Sequence, residues 1–312
     1  MLLIGVPGGG KDLKDLRMAF PAAGRRGLVS GRKTAGTEKP VGYGRLIFLA
    51  LCVILLPGGS HAQDNPDRAL RLCLGEAADT LEALTVTPQE DGAVFRSAAG
   101  DGFVLADVLV RRKPDPGAAP LAAAAGEDRY LAYRAGPENR WGLSPAWVVG
   151  ERDGRRFLVQ QALIASGTAM AAPDRGAPDC AGALKWSEAV ARQAGLGLWQ
   201  DERVLSTRTP AALLERAGHY VVAVGRIVSL GKTSRTRYLN FGFRWKSDFT
   251  ATLRVSEEDA FDAVLADKGV RIADLAGAAV LVRGVIQVRD GPYMELVHPG
   301  QLDVIEVRKG EE

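Results

Sequence analysis

Apolar residues recur along this chain in short runs broken by glycine, proline and aspartate, a spacing that favours strands over long helices. From Val86 onward the pattern predicts strands at Ala93–Arg96 and Phe103–Val110, with turns at Asp91-Gly92 and Gly100-Asp101-Gly102. Trp141–Val149 and Arg156–Ile164 continue as strand-like or mixed stretches, while Pro114–Gly126, rich in Pro and Ala, reads as a loop. Two segments change to helical spacing. Arg68–Leu84 packs as a helix or an extended cover, and in Leu184–Ala194 the apolar Leu184, Ala189 and Ala191 are spaced with Glu188 and Arg192 as in an amphipathic helix. Pro178-Asp179-Cys180 precedes that helix and Gly195–Trp199 ends it.

The downstream pattern is also mainly β. Pro210–Ala217 is a short helical lead-in closed by Gly218, and Tyr220–Leu230 is a β-branched strand with Gly225 inside it, the place for a bulge or sharp coil. A basic hairpin loop (Gly231, Lys232, Arg235, Arg237) leads to strands at Tyr238–Phe243 and Phe249–Val255. Ser256–Lys268 predicts a helix with Ser256 as its N-cap and acids in its first turn. Ala279–Val288 and Tyr293–Val297 pair through Asp290-Gly291, and Val304–Val307 is the last strand. Three strands, a helix and two further strands is the order of an OB-fold.

A length of 312 residues suits about two domains. Leu46–Pro57 is an uninterrupted apolar run of twelve residues after Arg45. It is too short for a spanning helix, which needs roughly 20 residues, and has the length of a signal-peptide core. Ser60 and Ala62 place small residues at −3 and −1 of a cut before Gln63. The expectation is an exported protein, periplasmic or secreted, with no stable membrane span after leader cleavage. Gly5–Asp12 imitates a phosphate-binding loop, but Asp12 stands where Ser or Thr should hold Mg²⁺.

Charge changes the picture once the leader is set aside. The chain carries 40 Lys/Arg and 37 Asp/Glu; residues 1–62 hold 9 and 3 of these, leaving 31 basic and 34 acidic groups in the remainder. No global positive charge pulls the folded part onto nucleic acid or anionic lipid, so such binding needs a local patch. Beyond the leader the cysteines are Cys73 and Cys180, which in an oxidising compartment make a disulfide the default and provide no metal site. His219 and His298 are the remaining histidines, too few for a histidine-based metal site or triad.

Residues 86–200 resemble the staphylococcal-nuclease-like (thermonuclease) family, a small five-stranded OB-type barrel with helices. Phe157–Ala169, FLVQQALIASGTA, and Cys180–Trp199 are similar to the family's closing strand and helices. Asp91-Gly92, Val104–Val108 and Asn139–Leu143 look like degraded copies of its DGDT, RLxGI and DRYGR motifs. The resemblance implies Ca²⁺ held by carboxylates, water activated by a Glu, and two arginines on the transition state. Here the second Asp of DGDT falls on Ala93, the first arginine on Val104, a later Asp-Thr pair on Leu109-Val110, and the second arginine on Leu143. The base falls on Arg112, or on Asp115 if Pro114-Asp115 stands in for Pro-Glu. Losing such charges as a set removes most of the rate, so the expectation is a non-catalytic, degenerate nuclease-like domain with no metal and no cofactor. The alternative is a metal-dependent phosphodiesterase, with Ca²⁺ as its cofactor, whose relocated or residual site uses Asp115, Arg112 and Arg140.

The second half resembles the OB-type domain that follows nuclease-like domains in some exported bacterial proteins, through YLNFG and DFT within 238–250 and through 282–306. OB strands 2 and 3 commonly face oligonucleotides, with aromatics on bases and basic residues on phosphate. Arg235, Arg237, Tyr238, Phe241, Arg244, Trp245 and Lys246 occupy that part of the sequence as candidate nucleic-acid ligands. Alternate aromatics in a small barrel fill its interior, so about half of the aromatics belong to the core. His298 before Pro299 reads as structural. The sequence thus predicts a mainly β (α+β) chain: a leader at 1–62, a nuclease-like barrel at 63–205 and an OB-fold-like domain at 210–308, two small OB-type barrels in tandem. The expected partner is single-stranded nucleic acid or an envelope polymer or protein.

Overall fold

A computed structural model describes residues 66–75, 82–89, 93–110, 129–244 and 246–307. The leader, the Asp91-Gly92 turn, the Pro114–Gly126 loop, Arg112, Asp115 and Trp245 lie outside the described residues.

The first half begins with α1 (Pro66–Leu74), followed by β1 (Ala83–Pro88), β2 (Val94–Ser97), β3 (Gly102–Leu105) and β4 (Val108–Val110). Then come β5 (Arg129–Arg134), β6 (Leu143–Arg152), β7 (Arg155–Leu158), α2 (Val159–Ala165), β8 (Ala169–Ala171) and α3 (Pro178–Gln193). Strand β1 pairs antiparallel with β2 and β5, β2 with β3, and β5 with β6. A parallel β3–β6 pairing then closes the ring, with Gly102 opposite Leu143 and Leu105 opposite Ala146. The result is a closed five-stranded barrel, consistent with an OB type, which leaves no free edge among those five strands.

Phe95, Phe103, Tyr130, Val148 and Leu158 fill its core, with Ile164 of α2 and Leu184 of α3 packed against them. β6 is buried almost end to end, since both its faces are covered. The buried Gln160 acts as a backbone surrogate beside it: its Nε2 donates to Ala146 O at 2.8 Å and its Oε1 accepts from Val148 N at 3.3 Å. Cys73 and Cys180 form a disulfide that staples α1 to α3 across 107 residues.

The second half starts with β9 (Leu205–Ser206), α4 (Pro210–Leu214), β10 (Tyr220–Arg226), β11 (Ser229–Lys232), β12 (Thr236–Asn240) and β13 (Thr250–Arg254). It continues with α5 (Glu258–Leu265), β14 (Ala279–Val285), β15 (Gln287–Val288), β16 (Pro292–Glu295) and β17 (Leu302–Glu306). One sheet has the order β17-β14-β10-β9 and the other β11-β12-β13-β16-β15. β10 passes into β11 after two residues and β14 into β15 after Ile286, so the two sheets share bent strands around one core. That core holds Leu239, Phe241, Phe249, Leu253, Phe261, Ile286 and Met294, with Phe241 and Phe249 centred 5.0 Å apart.

Several sequence expectations change. Gly225 is not a bulge, because β10 pairs with β14 without interruption from Tyr220↔Val285 to Arg226↔Ala279. A Cβ there would come within 1.7 Å of Thr207 Oγ1, so the glycine permits close packing of the preceding segment. The irregularity lies instead between Ala279 and Val280, opposite β17. Ser256 does not cap a helix; a short 3₁₀ turn at Val255–Glu257 precedes α5, whose N-cap position is Glu257 and has no side-chain cap. Helix α3 starts at Pro178, a residue suited to the first turn, rather than near Leu184. Arg156–Ile164 divides into the end of β7 and α2.

The two cores meet along α3. Glu188, fully buried, accepts from Arg283 Nη1 at 3.0 and 3.1 Å, and its Oε2 accepts from Ala171 N at 2.8 Å. Arg283 is 2% exposed and also donates to Ala171 O at 3.1 Å, while Tyr220 Oη donates to the same carbonyl at 3.2 Å. Burial pushes the Tyr220 phenol well above its ordinary range, so it remains a neutral donor. Around this pair Met170, Ala191, Trp199 and Val222 form a small apolar cluster. Lys185 of α3 donates to Gly300 O at 3.0 Å and pairs with Asp303, and burial lowers its ammonium pKa despite that partner. His298 works structurally, as expected. Its Nδ1 accepts from Gly300 N at 3.0 Å and its Nε2 lies 2.9 Å from Gly176 O in the first half. All of these residues fall within one compact unit, 59–312.

Two outcomes follow from this packing. Replacing both Cys73 and Cys180 by alanine should lower stability by about 4–5 kcal/mol in urea unfolding, the chain-entropy value for a loop of this length. Arg283→Met should cost up to about 3–5 kcal/mol by leaving buried Glu188 with only the longer 3.4 Å pair to Arg192, whereas Glu188→Leu combined with Arg283→Met should recover much of that loss.

Candidate functional site

Strand parity decides which side chains of the second half face outward. On β13, Ala251 and Leu253 point into the core, so Thr250, Thr252 and Arg254 lie on the opposite face. Antiparallel pairing sets Tyr238 of β12 across from Thr252 and Thr236 across from Arg254. Parallel pairing with β16 places Thr250 opposite Tyr293 and Thr252 opposite Glu295. Thr236, Thr252, Arg254, Tyr293 and Glu295 floor a groove of about 620 Å³, walled by Ser234 and Arg235 at the β11–β12 turn, by Val255 and Ser256 after β13, and by Arg289 at the β15–β16 turn.

The chemistry of the groove is cationic and aromatic. Arg235, Arg254 and Arg289 are exposed along it. Arg289 lies over the Tyr293 ring, its guanidinium carbon 4.5 Å from the centroid, and the Tyr293 hydroxyl is 2.5 Å from Thr252 Oγ1. Arg254 Nε is 3.8 Å from Glu295 Oε1, the acid of the groove. The turn carrying Arg289 is tight: Asp290 and Gly291 take φ of 51° and 129°, and the Arg289 N–H donates to Gly291 O at 2.9 Å. Guanidinium groups suit phosphate or carboxylate, and the tyrosine presents a flat apolar surface beside them.

The sequence-predicted ligands scatter. Arg235 lines the groove, and Tyr238 is half-buried on the same outward parity. Arg237 has the inward parity of Leu239 and is tied to α5, its Nε donating to Glu258 Oε1 at 2.7 Å. Lys232 donates to the other carboxylate oxygen at 2.9 Å, so one acid answers both cations. Phe241 is a core residue, because its parity turns it inward against Phe249. Arg244 and Lys246 are exposed in the turn between β12 and β13, where Arg244 N donates to Asp248 Oδ2 at 2.8 Å. Arg254, Arg289, Tyr293 and Glu295, which also line the groove, are not among those sequence candidates. The period of two in Thr250–Arg254 was a usable signal for Arg254, but the β13–β16 pairing joins segments about forty residues apart and left none.

The first barrel carries a smaller depression of about 290 Å³, lined by Val104, Asp107, Glu138, Asn139, Asp174 and Arg175 among others. Asp107, at φ 57°, is buried there and its carboxylate accepts from the N–H groups of Asp174 (3.0 Å), Arg175 (2.6 Å) and Gly176 (3.0 Å). Burial pushes its carboxyl above the ordinary range even with those donors. This carboxylate fastens the 174–176 strap and has little capacity left for a ligand. Arg140 stacks on Trp141 at 4.1 Å, and Trp141 is 67% exposed. Among the described residues, no three or more His, Cys, Asp or Glu side chains gather as a metal site, and no helix is long and apolar enough to cross a membrane.

Glu258 gives a pH test. Burial raises its carboxyl, but the hydrogen bonds and charges of Arg237 and Lys232 outweigh this and hold it below the ordinary 4.5. A depressed folded pKa contributes stability in full above that ordinary value and loses it as pH falls through the folded one. Wild type should therefore be more stable than Glu258→Gln at neutral pH, with the gap closing below about pH 4.5 in thermal melts. Neither a protein-family model nor a curated protein matches the chain.

Proposed function

We propose that this protein binds single-stranded nucleic acid along the groove of its second half, without cleaving it. The observation that carries the reading is that Arg235, Arg254 and Arg289 line one groove together with Tyr293, with Arg289 over the tyrosine ring. A flexible polyanion with stackable rings matches that surface: phosphates meet guanidinium groups, and a base lies on the tyrosine. The strand order supports an OB-type reading of the second half, with β10/β11, β12, β13, β14/β15 and β16 as the five OB strands and α5 between the third and fourth. The groove then lies on the side where such barrels commonly take oligonucleotides.

The first half, in this reading, is a nuclease-like barrel that has lost its chemistry. Val104 and Leu143 stand where the resemblance expects arginines, and its one buried aspartate in the depression holds a loop. It supplies a rigid base for the second half. The protein acts after export, in the periplasm or outside the cell, and uses no metal and no cofactor. An anionic envelope polymer would meet the same arginines but would not need the tyrosine face.

Fluorescence anisotropy with labelled oligonucleotides over a salt series tests the reading. Arg254→Ala and Arg289→Ala should each weaken binding several-fold and reduce the log–log salt slope by about 0.7, one phosphate contact apiece. Arg237→Ala should lower stability and leave affinity unchanged. Binding that ignores the groove variants would refute the site, and cleavage by the repurified protein with Ca²⁺ would refute the non-catalytic assignment.

A further inference from the structure

A carboxylate in a groove suited to a polyanion needs a reason, because it repels every phosphate that passes. Glu295 is such a group: it lines the groove on β16 beside Tyr293, with its side chain 32% exposed. Among the described residues its ion pair is with Arg254 Nε at 3.8 Å, beyond hydrogen-bond reach. Glu258, by comparison, is saturated by Arg237 and Lys232 at 2.7 and 2.9 Å. The Glu295 oxygens thus retain acceptor capacity facing the groove, and an ionised carboxylate can only accept. What completes it is an N–H or O–H donor on the ligand.

Resting on the groove reading above, we propose that Glu295 sets the selectivity of the site by accepting a hydrogen bond from a donor on the nucleotide that stacks at Tyr293. The exocyclic amino group of cytosine is such a donor, and thymine presents an acceptor oxygen at the equivalent ring position. The two pyrimidines match in size and in charge per phosphate, so a difference between them isolates the hydrogen bond. A ribose hydroxyl supplies the same chemistry from the sugar. Thr252 fixes the Tyr293 hydroxyl, and Arg289 lies against the ring, so the stacking surface next to Glu295 is held in place.

The test measures anisotropy of labelled oligo(dC), oligo(dT), oligo(rC) and oligo(rU) of equal length on the full exported chain and on Glu295→Gln and Arg254→Ala. At alkaline pH, where cytosine stays neutral, wild type should bind oligo(dC) roughly tenfold tighter than oligo(dT). Glu295→Gln should weaken oligo(dC), tighten oligo(dT), and bring the ratio to within about twofold, while Arg254→Ala should weaken all four ligands alike. If oligo(rU) equals oligo(rC), both exceed oligo(dT), and Glu295→Gln removes that advantage, the assignment stands with the sugar hydroxyl as donor. Equal tightening of all four ligands by Glu295→Gln would overturn it, since Glu295 would then only neutralise Arg254. A wild type that binds none of the four overturns the groove reading as well, a result distinct from loss of selectivity alone.

Discussion

Glu188 and Arg283 form the contact on which the arrangement of this molecule depends. Each side chain is buried, and each would be costly to bury alone. Helix α3 carries the acid, and β14 of the other half carries the base. Bringing the two halves together pairs the two charges and engages the N–H and carbonyl of Ala171, with Arg192 Nη1 3.4 Å from Glu188 as a second cation. Lys185 and His298 extend the same logic outward, with polar atoms on one half closing contacts on the other.

The consequence is a division of labour between faces. The first barrel gives its α3 surface to the seam and closes its own strands into a ring, while the disulfide holds α1 on α3. The second half meets the seam with β10, β14 and the 298–303 segment, which leaves the outer face of β12, β13 and β16 available. That face gathers three arginines, a tyrosine and one acid from segments that are far apart in the chain.

Much of the architecture was legible beforehand. The hydrophobic spacing located most strands and the helix ending near Ala194, and the two cysteines beyond the leader, taken with the expected export, indicated the Cys73–Cys180 bridge. The site was less legible. Reading aromatic and basic residues by proximity in sequence grouped Arg237 and Phe241 with Arg235 and Tyr238, although alternation sends the first two inward. A glycine inside a strand suggests a bulge or sharp coil at Gly225, whereas the close approach of Thr207, eighteen residues earlier, is what the structure shows there.

Local chemistry therefore determined the elements of this protein: turn residues, periodicity of two, and Pro178 at a helix start each act within a few residues. Tertiary structure alone decided which elements distant in sequence became neighbours. The parallel pairings β3–β6 and β13–β16 join strands distant in sequence, one closing the first barrel and the other assembling the groove. Pairing the buried Glu188 with Arg283, and leaving Glu295 at 3.8 Å from its arginine, are outcomes of packing as well. A charge's role depends on the groups that surround it, and the chain order of those groups does not reveal them.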